Sequence, residues 1–240
     1  MIILIPIGGT GQRFKEHGYK MPKVLIQASG KPILYYLLDN LNLSGVDYII
    51  IPYNREYKDY SFEQSLKSDY PNIVFKLYCI ENNTRGAAET ISITLDHFQT
   101  DVDPDKPIIC LDSDNFYKCD VISKWNKDNC VFSFKDIGIN PIFSYVECTQ
   151  DQIVTNIKEK EKISDSTCTG AYGFESVKHL KKYAQKIIRE GVTQKSEFYT
   201  SGVIKEMIND GYKFKNIEIN VKDFISLGTP SQLESFINGF

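Results

Sequence analysis

Three observations predict a three-layer α/β/α fold built on a mostly parallel, mixed sheet. Strand and helix signals alternate through the first half of the chain, the strands are short and apolar on both faces, and a glycine-rich turn follows the first strand. MIILIPI is an apolar run of strand length. In KPILYYLLDNLNL, Pro32 sits near the start, and Ile33, Leu34, Leu37, Leu38 and Leu41 recur at helical spacing. VDYIIIPY reads as the second strand and Arg55–Lys67 as a polar, aromatic helix. NIVFKLYCI is the third strand, GAAETISITLDHF a helix opened by Gly86, and KPIICLDSD a fourth strand ending in acidic residues. From about residue 130 strands dominate: CVFSFK, PIFSYVECT, QIVTNIKE and CTGAYGF. Helices over SVKHLKKYAQKIIREG and EFYTSGVIKEMINDG follow, then KFKNIEI, DFISLG and a last helix, PSQLESFING. One compact domain over 1–240 is expected, its texture dividing at 1–129 and 130–240.

Composition narrows the classes of function. The chain has 240 residues, 42% hydrophobic and 25% charged, which suffices for a full core. Its formal net charge of −3 gives no basic field for nucleic acid or an anionic membrane, and no apolar run approaches a membrane span. The N-terminal stretch lacks the basic region and small-residue cleavage site of a signal peptide. Six cysteines (Cys79, Cys110, Cys119, Cys130, Cys148 and Cys168) form no CxxC pair. Cys79, Cys110, Cys130 and Cys168 sit in strand-like apolar contexts, as small hydrophobes do. A reduced, cytoplasmic protein is expected.

The chemistry concentrates at the first turn. Gly8, Gly9 and Gly11 let the backbone turn tightly and approach a ligand closely, and Arg13 and Lys23 add two cations. Exposed backbone N–H groups beside cations suit a polyphosphate. The spacing is neither GxxxxGK[ST] nor GxGxxG. In open parallel sheets ligands collect at the carboxyl ends of strands, so the loop after the fourth strand, carrying Asp112, Ser113 and Asp114, opens on the same edge as Gly8–Arg13. Paired carboxylates beside a phosphate cradle suit Mg²⁺. Taken alone, Asp112-Ser113-Asp114 is equally a solvated turn.

GGTGQRF followed by PKVL resembles the GGxGxRx…PKxL signature of the nucleotidylyltransferases that make sugar nucleotides from an NTP and a sugar phosphate. Further segments resemble the family's in order: Arg85-Gly86-Ala87-Ala88 its turn against the nucleobase, Asp114-Asn115 its segment with a Mg²⁺-binding aspartate, Glu159-Lys160 its pair that meets the sugar phosphate, Thr169–Phe174 its TGxYxF strand, and Leu227-Gly228-Thr229-Pro230 its terminal turn. The resemblance implies a Rossmann-like fold of the nucleotide-diphospho-sugar transferase type, with 1–129 the nucleotide half and 130–240 the acceptor half. It implies Arg13 and Lys23 as catalytic cations on the triphosphate and α-phosphate. Ile7, Gly8, Gly9, Thr10, Gly11, Glu81, Arg85, Gly86 and Ala87 would hold the nucleotide. Asn115, Glu159, Lys160, Gly170 and Glu197 would face the acceptor, with Asp114, and Asp112 behind it, on the metal. Lys160 stands in the charge run IKEKEK, where Lys158 and Lys162 compete for the same role. Gly170 also reads as a strand glycine at a bulge, and Glu197 as a cap of the helix that follows it. His17 receives no catalytic role.

Two departures from the family pattern matter. A second metal-binding aspartate normally precedes the terminal Gly-Thr by two residues, where this chain has Ser226. Asp223, three positions from Ser226, falls on the opposite strand face. The position that often carries a base-reading glutamine is Glu81, an acceptor-only group when ionised, which favours CTP or GTP over a uracil or thymine nucleotide. Asn82 and Asn83 stand as alternative readers. The expected partners are an NTP and a phosphorylated small-molecule acceptor, foremost a sugar 1-phosphate for surface glycan synthesis, with the protein a monomer or homo-oligomer. A cytidylyltransferase for a non-sugar phosphate shares every catalytic feature. A glycosyltransferase of the related fold would use Asp112-Ser113-Asp114 as a DxD motif, but would not need the glycine-rich loop and Pro-Lys.

Overall fold

The structure, a computed structural model, describes residues 1–239. The first half contains β1 (Ile2–Leu4), α1 (Gln12–Glu16), a small hairpin of β2 (Gln27–Ala28) and β3 (Lys31–Pro32), α2 (Ile33–Leu38) and β4 (Tyr48–Asn54). It continues with α3 (Phe62–Asp69), β5 (Phe75–Ile80), α4 (Ala87–His97), β6 (Ile108–Leu111), β7 (Asn115–Tyr117) and α5 (Val121–Lys124). The second half contains β8 (Cys130–Lys135), β9 (Ser144–Cys148), β10 (Val154–Glu159), β11 (Ser166–Phe174), α6 (Val177–Glu190) and α7 (Thr200–Asn209). It closes with β12 (Lys215–Glu218), β13 (Phe224–Ser226) and α8 (Pro230–Asn238).

The central sheet runs β10-β9-β11-β6-β1-β4-β5, with β8 joining β11 and β12 joining β8. The four first-half strands in this sheet, β1, β4, β5 and β6, are parallel, Leu4 standing between Ile50 and Cys110. β11 is antiparallel to β6, β8 and β9, which makes the whole sheet mixed. Alternation along β1 assigns the two faces. Ile2 and Leu4 join the core beneath α4, α6 and α7, whereas Ile3 and Ile5 join the core beneath α2 and α3. Strands buried on both sides have no polar face, which is why they read as unbroken apolar runs. The fold class is the one the sequence predicts.

The expected helix over Arg55–Lys67 divides. A 3₁₀ turn covers Arg55–Tyr60, Ser61 takes φ +52°, and α3 begins at Phe62. Tyr57 and Phe62 are both buried against Tyr53, and the break lets both rings reach it. The C-terminal segment returns to the first half: β13 pairs with β7, and Leu227, Leu233 and Phe236 share a third core cluster with Phe14 and Ile33. β2, β3, β7 and α5 are too short to leave a periodic signal.

Candidate active site

Parallel pairing of β1 with β6 brings the Gly8–Arg13 turn and the Asp112–Asn115 turn to one sheet edge, as predicted. A cavity of about 620 Å³ opens there. Asp112, Asp114, Asn115 and Gly170, from the ends of β6 and β11 and the start of β7, form its floor; Gly9, Gly11, Arg13 and Lys23 line it from the β1 side and Glu159 and Lys160 from the β10 side, while Ala87 and Glu197 line it from α4 and the segment stitched to it. Twelve of the eighteen predicted site residues thus meet in one place.

The floor is held by short-range geometry. Asn115 Nδ2 and Tyr117 Oη both donate to the Thr169 carbonyl, at 2.7 and 2.9 Å, tying β7 to β11. The Asp112 N–H donates to the Gly170 carbonyl at 2.9 Å. Gly170 sits at φ +85°, where the pairing of β11 with β8 slips register. A Cβ there would lie 2.3 Å from Asp112 Oδ2 and 2.7 Å from Asn115 Nδ2. The bulge reading of this glycine therefore holds, and the group that comes close to it within the protein is the Asp112 carboxylate. Leu227 N–H donates to the Asp114 carbonyl at 2.8 Å, so the terminal turn closes on the same loop. Thr229 caps α8 there, with Pro230 in its first turn.

Charges alternate across the cavity. Lys23 Nζ donates to Asp114 Oδ2 at 2.8 Å, a part-buried ion pair. Burial, then the neighbouring Asp114 charge, pushes the Asp112 carboxyl up to about 8, with Lys23 opposing the shift. Glu159 is buried and its carboxyl is likewise raised, by burial first. Arg13 is exposed at the cavity mouth on α1. Two buried-edge carboxylates and the Ser226 hydroxyl supply hard oxygen donors. A Cβ at Gly228 would meet both Asp114 Oδ2, at 2.6 Å, and Ser226 Oγ, at 3.4 Å. Such a set fits a divalent cation that completes its shell with water and substrate phosphates. Among the described residues no group of three or more Asp, Glu, His or Cys gathers to hold a metal by protein ligands alone. Asp223 lies outside the cavity, in a 3₁₀ turn ahead of β13 rather than on the strand whose alternation was expected to turn it away.

The structure also separates the competing lysines. Lys158 pairs with Glu161 at 2.5 Å, and Lys162 donates to the carbonyls of Asp136 and Gly138 while pairing with Asp165. Lys160 alone of the three lines the cavity. Six predicted residues stand back from it. Ile7 is buried in a bridge to Tyr53. Gly8 packs where a Cβ would meet Thr90 Oγ1 at 2.4 Å, and Thr10 is half-buried in the same turn. Arg85 is drawn to Glu89 and to the Phe198 ring, 4.8 Å from its centroid, and Gly86 packs on the Phe198 backbone. Glu81 is exposed and paired with Lys58 at 3.2 Å and Arg55 at 3.6 Å, so it does not reach the cavity. The 3₁₀ turn that supplies those two cations was not legible as such. Ser144, Tyr199, Ser201 and Gln232 line the cavity without having been assigned to it. Tyr199 and Ser201 fall at the start of EFYTSGVIKEMINDG, two and four residues beyond Glu197.

A glycine-rich cationic turn, two carboxylates and a Glu-Lys corner around one cavity are the parts of a nucleotidyltransferase site. The nucleotidyl transferase family model matches residues 2–235, and the chain belongs to that family. D-glycero-α-D-manno-heptose 1-phosphate guanylyltransferase of Campylobacter jejuni is 23% identical over 161 residues, 67% of this chain and 69% of that protein. The bifunctional protein GlmU of Sulfurovum sp. is 23% identical over 236 residues, 92% of this chain, which spans only 50% of that relative's length. The crystal structure of a nucleoside-diphosphate-sugar pyrophosphorylase from Vibrio cholerae RC9 superposes with a TM-score of 0.80 at 21% identity, covering 99% of this chain and 100% of that one.

Proposed function

We propose that the cavity transfers a nucleoside monophosphate from an NTP to a phosphorylated small-molecule acceptor, a sugar 1-phosphate, releasing pyrophosphate and giving a nucleotide-activated sugar for surface glycan assembly. The observation that carries this reading is the placement of the Gly9–Lys23 segment and the Glu159–Lys160 corner on opposite sides of Asp112 and Asp114. The Campylobacter relative's name, which joins a guanylyl group to a heptose 1-phosphate, supports a sugar 1-phosphate as acceptor. A role in the cytoplasm is supported by six cysteines that are all free, three of them buried.

An acceptor phosphate oxygen attacks the α-phosphorus; the new P–O bond forms as the bond to pyrophosphate breaks, and pyrophosphate carries off the displaced electron pair. Two anions must meet, so the protein's work is positioning and charge stabilisation. Arg13, at the mouth, clamps the triphosphate, and Lys23 turns from Asp114 to the α-phosphate. Lys160 neutralises the incoming phosphate. Asp114 and Asp112 would hold Mg²⁺, which supplies Lewis-acid stabilisation of the phosphate charge. With Glu81 held by Lys58 and Arg55, the preference for CTP or GTP loses the side chain on which it rested, and a four-NTP comparison decides the base.

The test is pyrophosphate release with Mg²⁺, each NTP, and a panel of D-glucose, D-mannose and heptose 1-phosphates together with phosphocholine. Release with a sugar 1-phosphate is expected. Release with phosphocholine alone would assign a non-sugar cytidylyltransferase. No release with any pair, alongside transfer from a nucleotide sugar, would assign the glycosyltransferase chemistry instead.

A further inference from the structure

Glu159 and Lys160 are adjacent in the chain and both line the cavity, yet they do not pair with each other. The Glu159 carboxylate accepts from Ser144 Oγ and from Ser201 Oγ, the latter at 3.2 Å. The Glu159 N–H donates to Gln194 Oε1 at 2.7 Å. The Lys160 ammonium instead donates to Tyr199 Oη at 2.7 Å and stands 4.9 Å from the centroid of that ring. Lys160 is held at φ +51°, its N–H donating to the Phe143 carbonyl at 2.8 Å. This left-handed turn at the end of β10 swings the lysine out of strand alternation, so that it faces the same cavity as its neighbour.

Two of these partners open one helix. Tyr199 is the N-cap of α7 and Ser201 lies in its first turn. The start of α7 therefore offers a hydroxyl to the carboxylate and a neutral phenol to the ammonium. The consequence is electrostatic. An ammonium paired with a carboxylate meets an incoming phosphate with much of its charge already cancelled, as Lys23 does while it holds Asp114. An ammonium resting on a phenol is fixed in direction without a contact ion pair, although Glu159 and Glu197 stand nearby.

We propose that the first turn of α7 sorts the Glu159–Lys160 corner, with Tyr199 as the positioning residue that holds Lys160 out of a direct ion pair and toward the acceptor's phosphate, and Ser201 retaining Glu159 apart from it. Resting as it does on the assignment of Lys160 to that phosphate, the role of Tyr199 needs an experiment in which the two fail separately.

Inorganic phosphate is the probe, its affinity measured by calorimetric titration of the full chain in four forms: wild type, Lys160→Met, Tyr199→Phe and the double variant. Tyr199→Phe keeps the ring and its packing and removes only the hydroxyl. Lys160→Met is expected to weaken phosphate about tenfold, the loss typical of one charged hydrogen bond, and Tyr199→Phe several-fold. The double variant is expected to match Lys160→Met alone, since a positioning residue has nothing left to position. NTP affinity and melting temperature should stay at wild-type values throughout. Wild-type phosphate affinity in Tyr199→Phe, with weakened affinity in Lys160→Met, would overturn the positioning role and leave the acceptor reading intact. A further loss on adding Tyr199→Phe to Lys160→Met would also overturn it, by showing that Tyr199 acts independently. Undiminished affinity in Lys160→Met would overturn the acceptor-phosphate assignment itself, and the role of Tyr199 with it.

Discussion

Lys23 concentrates the residue-scale logic, because one ammonium serves both the packing of the site and the proposed chemistry. It rests on Asp114 at 2.8 Å and lines the cavity. Replacing it with alanine removes a cation from the α-phosphate region and leaves the Asp114 carboxylate exposed to water through the cavity. We expect Lys23→Ala to remain folded by circular dichroism and to lose roughly 10²–10³ in turnover, the usual effect of losing one well-placed charge donor. Near-normal turnover would remove Lys23 from the mechanism. Gly170 makes a complementary case. A methyl group there would collide with Asp112 Oδ2 and Asn115 Nδ2 at a positive φ. Gly170→Ala is therefore expected to destabilise the protein by about 1–3 kcal/mol and to weaken Mg²⁺ binding, seen as a lower melting temperature and a smaller Mg²⁺-induced rise in it. A variant as stable as wild type, with an unchanged Mg²⁺ response, would show that the floor is not packed as described.

Elements transmit these demands through their ends. α4 begins at Gly86, whose φ of +139° and close approach to the Phe198 backbone admit no side chain: a Cβ would lie 2.5 Å from the Phe198 carbonyl oxygen. The Phe198 N–H donates to Arg85 O, and Ala88 N–H donates to Phe198 O, both at 2.9 Å. The start of α4 is thus stitched to the segment that opens α7, which places Ala87 and Tyr199 in one cavity wall. Gly86→Ala is expected to cost about 1–3 kcal/mol and to weaken NTP and acceptor together, measured by denaturant melts and by the two KM values. An effect confined to the NTP would mean that the stitch carries nothing to the acceptor side. Such joints also explain what was legible in the sequence. Glycines at 8, 11, 86 and 170 were visible because a backbone constraint deletes a side chain, and the long strands and helices were visible because burial imposes a period. β7, the β2–β3 hairpin and the turn of Lys160 were not, since two or three residues carry no period and a positive φ at lysine has no compositional mark. Glu81 misled for a related reason: the ion pairs that hold it outside the cavity come from a 3₁₀ turn that reads as ordinary helix.

On the scale of the whole molecule, the cavity floor couples global stability to pH. The Asp112 carboxyl is raised from its ordinary value to about 8 because the fold buries it, beside Asp114 and Glu159. In the unfolded chain it titrates near its ordinary value of 3.8. Between those two limits the folded protein binds a proton at Asp112 that the unfolded chain has released. Stability therefore falls as pH rises through that window and levels off above pH 8. Glu159, also raised by burial, adds a contribution of the same sign. Asparagine is close in shape to the protonated aspartate and cannot ionise. In EDTA, Asp112→Asn should melt close to wild type at pH 5 and clearly above it at pH 8.5. A divalent cation reverses the balance, because a ligating carboxylate must be deprotonated and the ion offsets the charge that burial penalises. Mg²⁺ should accordingly raise the melting temperature of the wild type more at pH 8.5 than at pH 5.5, and raise that of Asp112→Asn less at either pH. Equal differences between variant and wild type at both pH values in EDTA would show that Asp112 is ionised in the fold throughout and that burial does not hold its proton.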